Sequence, residues 1–131
     1  MSVQLPDKAK ELLDGPTIVA MTTLRRDGSP QSTVVWAKRD GDDVLISTII
    51  GRVKERNLTR DPRMSLTFFD PSEPTTSFSI DGSASMTTDG GPELIQELSR
   101  KYEGIPFTGD DGTDRVRVVV RVRPERVISH Q

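Results

Sequence analysis

The chain reads as a single mainly β domain, an antiparallel β-barrel with a few short helices attached. Three observations predict this. Runs of strand length rich in β-branched residues recur along the chain, the first being Thr-Ile-Val-Ala-Met-Thr-Thr-Leu at 17–24. Turn dipeptides, Asp27-Gly28 and Asp40-Gly41, separate the first three runs, which is the pattern of consecutive hairpins. The segments with helical spacing are brief.

The elements follow in order. A short helix opens the chain, with Pro6 at its first position, an apolar stripe of Ala9, Leu12 and Leu13, and a stop at Gly15-Pro16. Six strands are expected, at 17–24, 31–39, 44–50, 64–70, 77–87 and 115–123. Between the third and fourth lies a basic helix at 53–60, ended by Asp61-Pro62 because the residue before proline is pushed out of helical space. Residues 71–76, with two prolines, read as a loop, and Asp81-Gly82 marks a bulge in the fifth strand. A helix at 92–101 places Leu94, Ile95 and Leu98 on one face, and the polar loop at 104–114 is a candidate mobile segment. In the last strand Val116, Val118, Val120 and Val122 alternate with Arg115, Arg117, Arg121 and Arg123, which predicts a core face of valines. The arginine face is expected to be solvated and paired with acids of a neighbouring strand, the alternative being a role in holding an anionic cofactor tail or a dimer partner.

Bulk properties narrow the function. A chain of 131 residues suits one domain, 1–131, either as a monomer or as a dimer that shares part of its core. Net charge is −2 with 29% charged residues of both signs, which does not suit a dedicated nucleic-acid binder. There are no cysteines, so disulfides, thiolate catalysis and cysteine-ligated zinc are excluded. No apolar run is long enough to cross a bilayer, and residues 1–5 lack the features of a signal peptide. A soluble, cytoplasmic protein is expected.

The chemistry concentrates in Ser47-Thr48-Ile49-Ile50-Gly51-Arg52-Val53-Lys54-Glu55-Arg56-Asn57-Leu58. A strand runs into a glycine and then into a basic helical turn. Gly51 lets the backbone approach a ligand, and the first helical N–H groups point outward unpaired. Those donors and the positive end of the helix dipole favour an anion, and Arg52, Lys54 and Arg56 add full charges. Cations in the first turns oppose the dipole and cost stability unless an anion is present. Arg52, Arg56 and Asn57 are expected to share one sector, with Lys54 at its border. The alternative is an ordinary wet helix face with Leu58 turned inward.

Elsewhere the chain lacks the usual catalytic side chains. His130 is the single histidine and lies near the end of the sequence, so neither a Ser-His-Asp triad nor a histidine metal site is expected. Asp40, Asp42 and Asp43 read as a solvated turn, not a calcium loop. Tyr102 is either a proton donor or a half-buried anchor. Trp36 is either a flat wall for a planar ring or ordinary core. A bound phosphorylated cofactor that carries the chemistry is the most economical reading.

Three segments carry a resemblance. Residues 21–32 (Met-Thr-Thr-Leu-Arg-Arg-Asp-Gly-Ser-Pro-Gln-Ser), then 51–58 with Asp61-Pro62-Arg63, then 117–127 occur in an order that resembles the flavin-binding split β-barrel superfamily of pyridoxamine 5′-phosphate oxidase-like proteins. Within it the chain is most similar to the actinobacterial flavin/deazaflavin oxidoreductases that use coenzyme F420. The resemblance implies a six-stranded antiparallel split β-barrel, a homodimer, and a cofactor in a groove at the dimer interface. It places Ser32, Thr33, Val34 and Val35 along the ring system, with Ser47 and Thr48 beside them. Arg52, Lys54 and Asn57 would hold the phosphate and the start of the tail, and Phe78 and Ser79 would approach from the other subunit. The implied reaction is hydride transfer from the reduced deazaflavin to a conjugated electrophile: an activated C=C bond, a quinone or a tetrapyrrole-like molecule. No side chain stands out as the proton donor, and no metal, nucleic acid or membrane is involved.

Two alternatives stay open. One is an FMN-dependent oxidase or reductase on the same fold, although pyridoxal phosphate synthesis is not expected, since only Arg126 and His130 near the end offer substrate-phosphate contacts. The other is a non-catalytic module that binds a cofactor or tetrapyrrole.

Overall fold

A computed structural model describes residues 3–130. Met1, Ser2 and Gln131, which belong to the expected 1–131 domain and in part to the reading of residues 1–5, lie outside the described residues.

The chain runs α1 (Asp7–Asp14), β1 (Val19–Leu24), β2 (Pro30–Val35), β3 (Ala37–Asp40), β4 (Asp43–Ile49), α2 (Val53–Arg60), β5 (Arg63–Asp70), β6 (Glu73–Thr87), α3 (Gly91–Glu103) and β7 (Arg117–His130). All strand pairings are antiparallel, in one sheet ordered β2-β1-β5-β6-β7-β4-β3. The sheet has seven strands and not the expected six, because the run at 31–39 breaks at Trp36. Its first half pairs with β1 and its second half with β4. The two edge strands are therefore neighbours in sequence, separated by one residue, and the sheet must curl until its edges meet there.

Two further boundaries differ. The loop expected at 71–76 is mostly strand, since β6 starts at Glu73, and the last strand runs through Pro124 to His130 instead of ending at Arg123. Pro124 is accommodated at a bulge. Asp81 faces Arg126 and Gly82 faces Pro124, so Glu125 is the extra residue on β7. The irregularity falls at Asp81-Gly82 as expected, but the extra residue belongs to the partner strand, and Gly82 is required there: a Cβ would lie 2.4 Å from the Arg123 carbonyl oxygen. His130 is paired opposite Ser77.

Strand alternation sorts the side chains. Val19 and Met21 of β1, Val44 and Ile46 of β4, Leu66 and Phe68 of β5, and Val120 and Val122 of β7 fill one interior. Ala9 and Leu13 of α1 and Leu58 of α2 join the same cluster. The opposite faces of β4 and β7 supply Leu45 and Val119 to a second cluster beneath Leu94 and Leu98 of α3, so α3 packs on the outside of the barrel. Val116, expected in the core, precedes β7 and is 45% exposed. Of the arginine face, Arg121 pairs as expected with Asp43 of the adjoining β4, at 3.0 Å, and also reaches Asp40, whereas Arg115 and Arg117 pair with Asp110 of the preceding loop. No helix among the described residues is long and apolar enough to cross a membrane.

Candidate functional site

β4 ends at Ile49, and the chain enters α2 through Gly51, whose φ of +95° suits a residue without a Cβ. Arg52 is the N-cap and offers no side-chain cap. Instead Glu55 reaches back: its Oε1 accepts the Gly51 N–H at 2.7 Å, and its Oε2 accepts the Thr59 hydroxyl at 2.8 Å. This resembles one half of a capping box and puts a resident carboxylate on the turn. The amides of Val53, Lys54 and Glu55 make no hydrogen bond among the described residues.

The helix orients its polar residues differently from the expected sector. Arg52 and Arg56 are exposed, whereas Asn57 is buried beside Leu58. The Asn57 amide donates to Thr23 Oγ1 at 3.0 Å, and its carbonyl accepts from Arg60 at 3.1 Å. Asn57 thus fastens α2 to β1, with one of its two amide N–H groups uncommitted, and it lines a hollow with Arg26 and Arg56. Lys54, one turn earlier on the same side, is half-buried and has no carboxylate within ion-pair distance among the described residues. Burial, with the Arg52 charge beside it, pushes its pKa down from the ordinary lysine value.

Lys54 lines a cleft of about 260 Å³ together with Val34, Val35 and Trp36 from the β2–β3 junction, Ser47 of β4, and Ile95 and Leu98 of α3. Trp36 stacks on Tyr102 with ring centroids 5.4 Å apart and planes 14° from parallel. Phe107 and Arg117 complete the lining. Arg117 grips Asp110 through Nε at 2.7 Å and Nη2 at 3.1 Å, and its guanidinium carbon lies 4.8 Å from the Phe107 ring centre. This contact holds the Asp110 carboxyl below its ordinary range. Arg117 Nη1 points to Ser47 Oγ at 3.4 Å. The segment at 104–114, expected to be mobile, is tied down at Phe107: the Gln96 side chain donates to its carbonyl at 2.7 Å and accepts its N–H at 3.0 Å.

Of the residues singled out in the sequence, Val34, Val35, Ser47 and Lys54 meet in this cleft. Ser32 lies on the exposed face of β2, hydrogen-bonded to Thr22 at 2.7 Å. Thr33 is half-buried, and its Oγ1 is buried without a partner, while Thr48 is buried. Phe78 is 4% exposed and packs on Phe68 in the core, whereas Ser79 points the other way.

Phe107 carries no signal in the sequence, and Ile95 and Leu98 stand out there only as a helix face. The Arg-Val alternation singles out Arg117, as part of a face either solvated or holding an anionic tail. Tyr102 is an anchor: its hydroxyl donates to the Thr17 carbonyl at 2.7 Å and accepts the Ala37 N–H at 3.1 Å. His130 is remote from the cleft lining, and no cluster of metal-ligating side chains occurs among the described residues. The acidic turn is occupied by its own chain: Asp42 accepts the Leu5 N–H, while Asp40 and Asp43 pair with Arg121.

One antiparallel sheet curled on itself, with α3 outside and a basic-edged, aromatic-walled cleft between α2 and α3, is the architecture of a split β-barrel protein. The chain belongs to the pyridoxamine 5′-phosphate oxidase family, whose profile matches residues 5–131. Among solved structures it is similar to an F420 reductase, with 26% identity and a TM-score of 0.84 over 95% of this chain and 98% of that one. A conserved hypothetical protein of Mycobacterium tuberculosis aligns over 99% of this chain and 86% of its own, with 24% identity and a TM-score of 0.75. General stress protein 26 of Bacillus anthracis shares the fold at 12% identity, with a TM-score of 0.70 over 95% and 92% of the two chains.

Proposed function

We propose that the protein is an F420-dependent oxidoreductase that reduces a conjugated electrophilic small molecule: an activated C=C bond, a quinone or a tetrapyrrole-like acceptor. The observation that carries this reading is Lys54, a half-buried cation with no acidic partner among the described residues, at the edge of a cleft walled by Trp36 and Phe107. A planar ring with an anionic substituent satisfies both features. The free amides at the start of α2 add donors for a phosphate. The similarity to a solved F420 reductase favours the deazaflavin. So does the basic hollow along α2, where Arg26 and Arg56 are exposed and have no ion-pair partner among the described residues. A long acidic tail suits that surface better than the compact phosphate of FMN.

When bound and reduced, the deazaflavin supplies the hydride. The chain's own part is to bind, orient and keep the site dry. Lys54 fixes the anion. Trp36, Val35, Ile95 and Leu98 exclude water from the ring. Arg117 Nη1 donates to Ser47 Oγ, which leaves the serine hydroxyl hydrogen to donate toward an oxygen that gains electron density. The final proton comes from solvent or from a polar group that faces the substrate. We further propose a homodimer built on the outer face of β2-β1-β5-β6, acting in the cytoplasm. Register places Val34, Ala20, Thr67, Ser79 and Ile128 in one row across that face, and Val34 is 67% exposed.

The test is a side-by-side titration of the purified protein with coenzyme F420 and FMN, followed by oxidation of reduced F420 with a panel of conjugated acceptors. Preferential F420 binding with turnover is the expected result. FMN preference moves the protein to the flavin branch, and binding without turnover across the panel makes it a carrier.

A further inference from the structure

The strand break at Trp36 creates a problem that α3 solves. β2 ends at Val35 and β3 begins at Ala37, so the backbone turns a corner where ladder bonds cannot continue on both sides. Tyr102, near the end of α3, takes over. Its hydroxyl accepts the Ala37 N–H at 3.1 Å and donates to the Thr17 carbonyl at 2.7 Å, bridging the start of β3 to the segment that enters β1. Lys101 reinforces the same joint, donating to the carbonyls of Leu13 and Ala37, each at 2.6 Å. The Lys101 ammonium lies 5.2 Å from the Tyr102 ring centre. The ring so fixed stacks on Trp36, which lines the cleft.

We propose that Tyr102 is a positioning residue for the site: by stacking on Trp36 it sets the indole as the wall against which a planar ring lies. The inference rests on the proposed cofactor reading for its ligand, but not for its geometry. The two hydrogen bonds hold the tyrosine, and its ring holds the tryptophan. The ring is therefore the part that acts on the cleft, and the hydroxyl is the part that acts on stability. A tyrosine in a general-acid role makes the opposite assignment, with the hydroxyl indispensable and the ring replaceable.

The experiment compares Tyr102→Phe and Tyr102→Met, and it exploits the single tryptophan of the chain. Trp36 emission is recorded first without ligand, then during titration with F420, and thermal unfolding is followed in parallel. Tyr102→Phe is expected to lower the melting temperature while leaving Trp36 emission unchanged and F420 affinity within about twofold of the parent. Tyr102→Met, of comparable bulk but without a ring, is expected to shift the emission and weaken F420 binding at least about fivefold. Loss of affinity in Tyr102→Phe equal to that in Tyr102→Met overturns the proposal, as does a folded Tyr102→Met protein with parental emission. If the parent protein binds neither F420 nor FMN, the cofactor reading fails, yet the ligand-free emission still decides whether Tyr102 sets the indole.

Discussion

The Glu55 carboxylate accepts the Gly51 amide proton at 2.7 Å, so the donor exposed by the strand-to-helix turn is already matched by a negative charge from its own helix. An incoming phosphate meets that charge before it meets the remaining amides. Glu55→Gln keeps a hydrogen-bonding side chain and removes the charge. Affinity for F420 or FMN is expected to rise about two- to fivefold, the scale of a charge at a helix end, as read by equilibrium titration.

On the proposed reading, Lys54 carries the larger share of the phosphate binding. The Arg52→Ala, Lys54→Ala double variant is expected to lose at least about tenfold in cofactor affinity with the fold intact, since a charge-assisted contact contributes about 1.5–3 kcal/mol. Most of the loss belongs to Lys54, because Arg52 is exposed. The Lys54 pKa is lowered in the free protein, so binding is expected to weaken with rising pH before the ordinary lysine range is reached. Lys54→Arg retains its charge at all these pH values and should abolish that alkaline loss.

Asn57 ties α2 to β1. Asn57→Ala removes the donor to Thr23 and the acceptor of Arg60, and it is expected to cost about 1–3 kcal/mol in chemical denaturation. Cofactor affinity measured well below the unfolding transition should change far less than in Lys54→Ala. An equal loss of affinity would return Asn57 to the binding site.

Lys101 gives the fold its own pH signature. Burial draws its pKa down to about 8 from 10.5. Between these values the unfolded chain holds a proton that the folded chain has released, so this group makes stability rise with pH across that window. The melting temperature of the parent relative to Lys101→Met is expected to increase from pH 7.5 to pH 10. A flat difference would show that the two carbonyls keep the ammonium charged.

Gly82 tolerates no side chain. Gly82→Ala puts a Cβ 2.4 Å from the Arg123 carbonyl oxygen, where only backbone movement gives relief. A loss of about 2 kcal/mol or more, seen as a lowered denaturation midpoint, is expected from overpacking at this joint.

Much of the fold was legible because local chemistry and tertiary position agree. Helix α2 begins and ends where the Gly51 and Asp61-Pro62 signals put it, and the irregularity in the β6–β7 pairing falls at Asp81-Gly82. The boundaries that failed depend on partners distant in sequence. Pro124 looks like a strand terminator until Gly82 is seen opposite it, and Trp36 looks like mid-strand until β1 and β4 are seen claiming its two sides. In the site, Lys54 was legible from the strand-to-helix turn, whereas Val34, Val35 and Ser47 followed only from the resemblance. Phe107 was not legible, because its place in the cleft depends on Gln96 holding the loop. The tie of Asn57 to Thr23 was not legible either, because an amide at a helix start looks alike whether it faces water or a neighbouring strand.

The one-residue junction at Trp36 also determines where the chain can change length. Side chains alternate along β2 and again along β3, and the two phases are locked by a spacer that cannot be lengthened without inverting one of them. An insertion between Val35 and Ala37 would send Ala37 and its neighbours to the wrong face and unseat Trp36 together with them. The turns at Asp27-Gly28 and Gly41 carry no such constraint. Residue insertions, affinity tags or grafted loops therefore belong at the Asp27-Gly28 tip in the first place, and the seam itself is a point where counting residues matters more than choosing them.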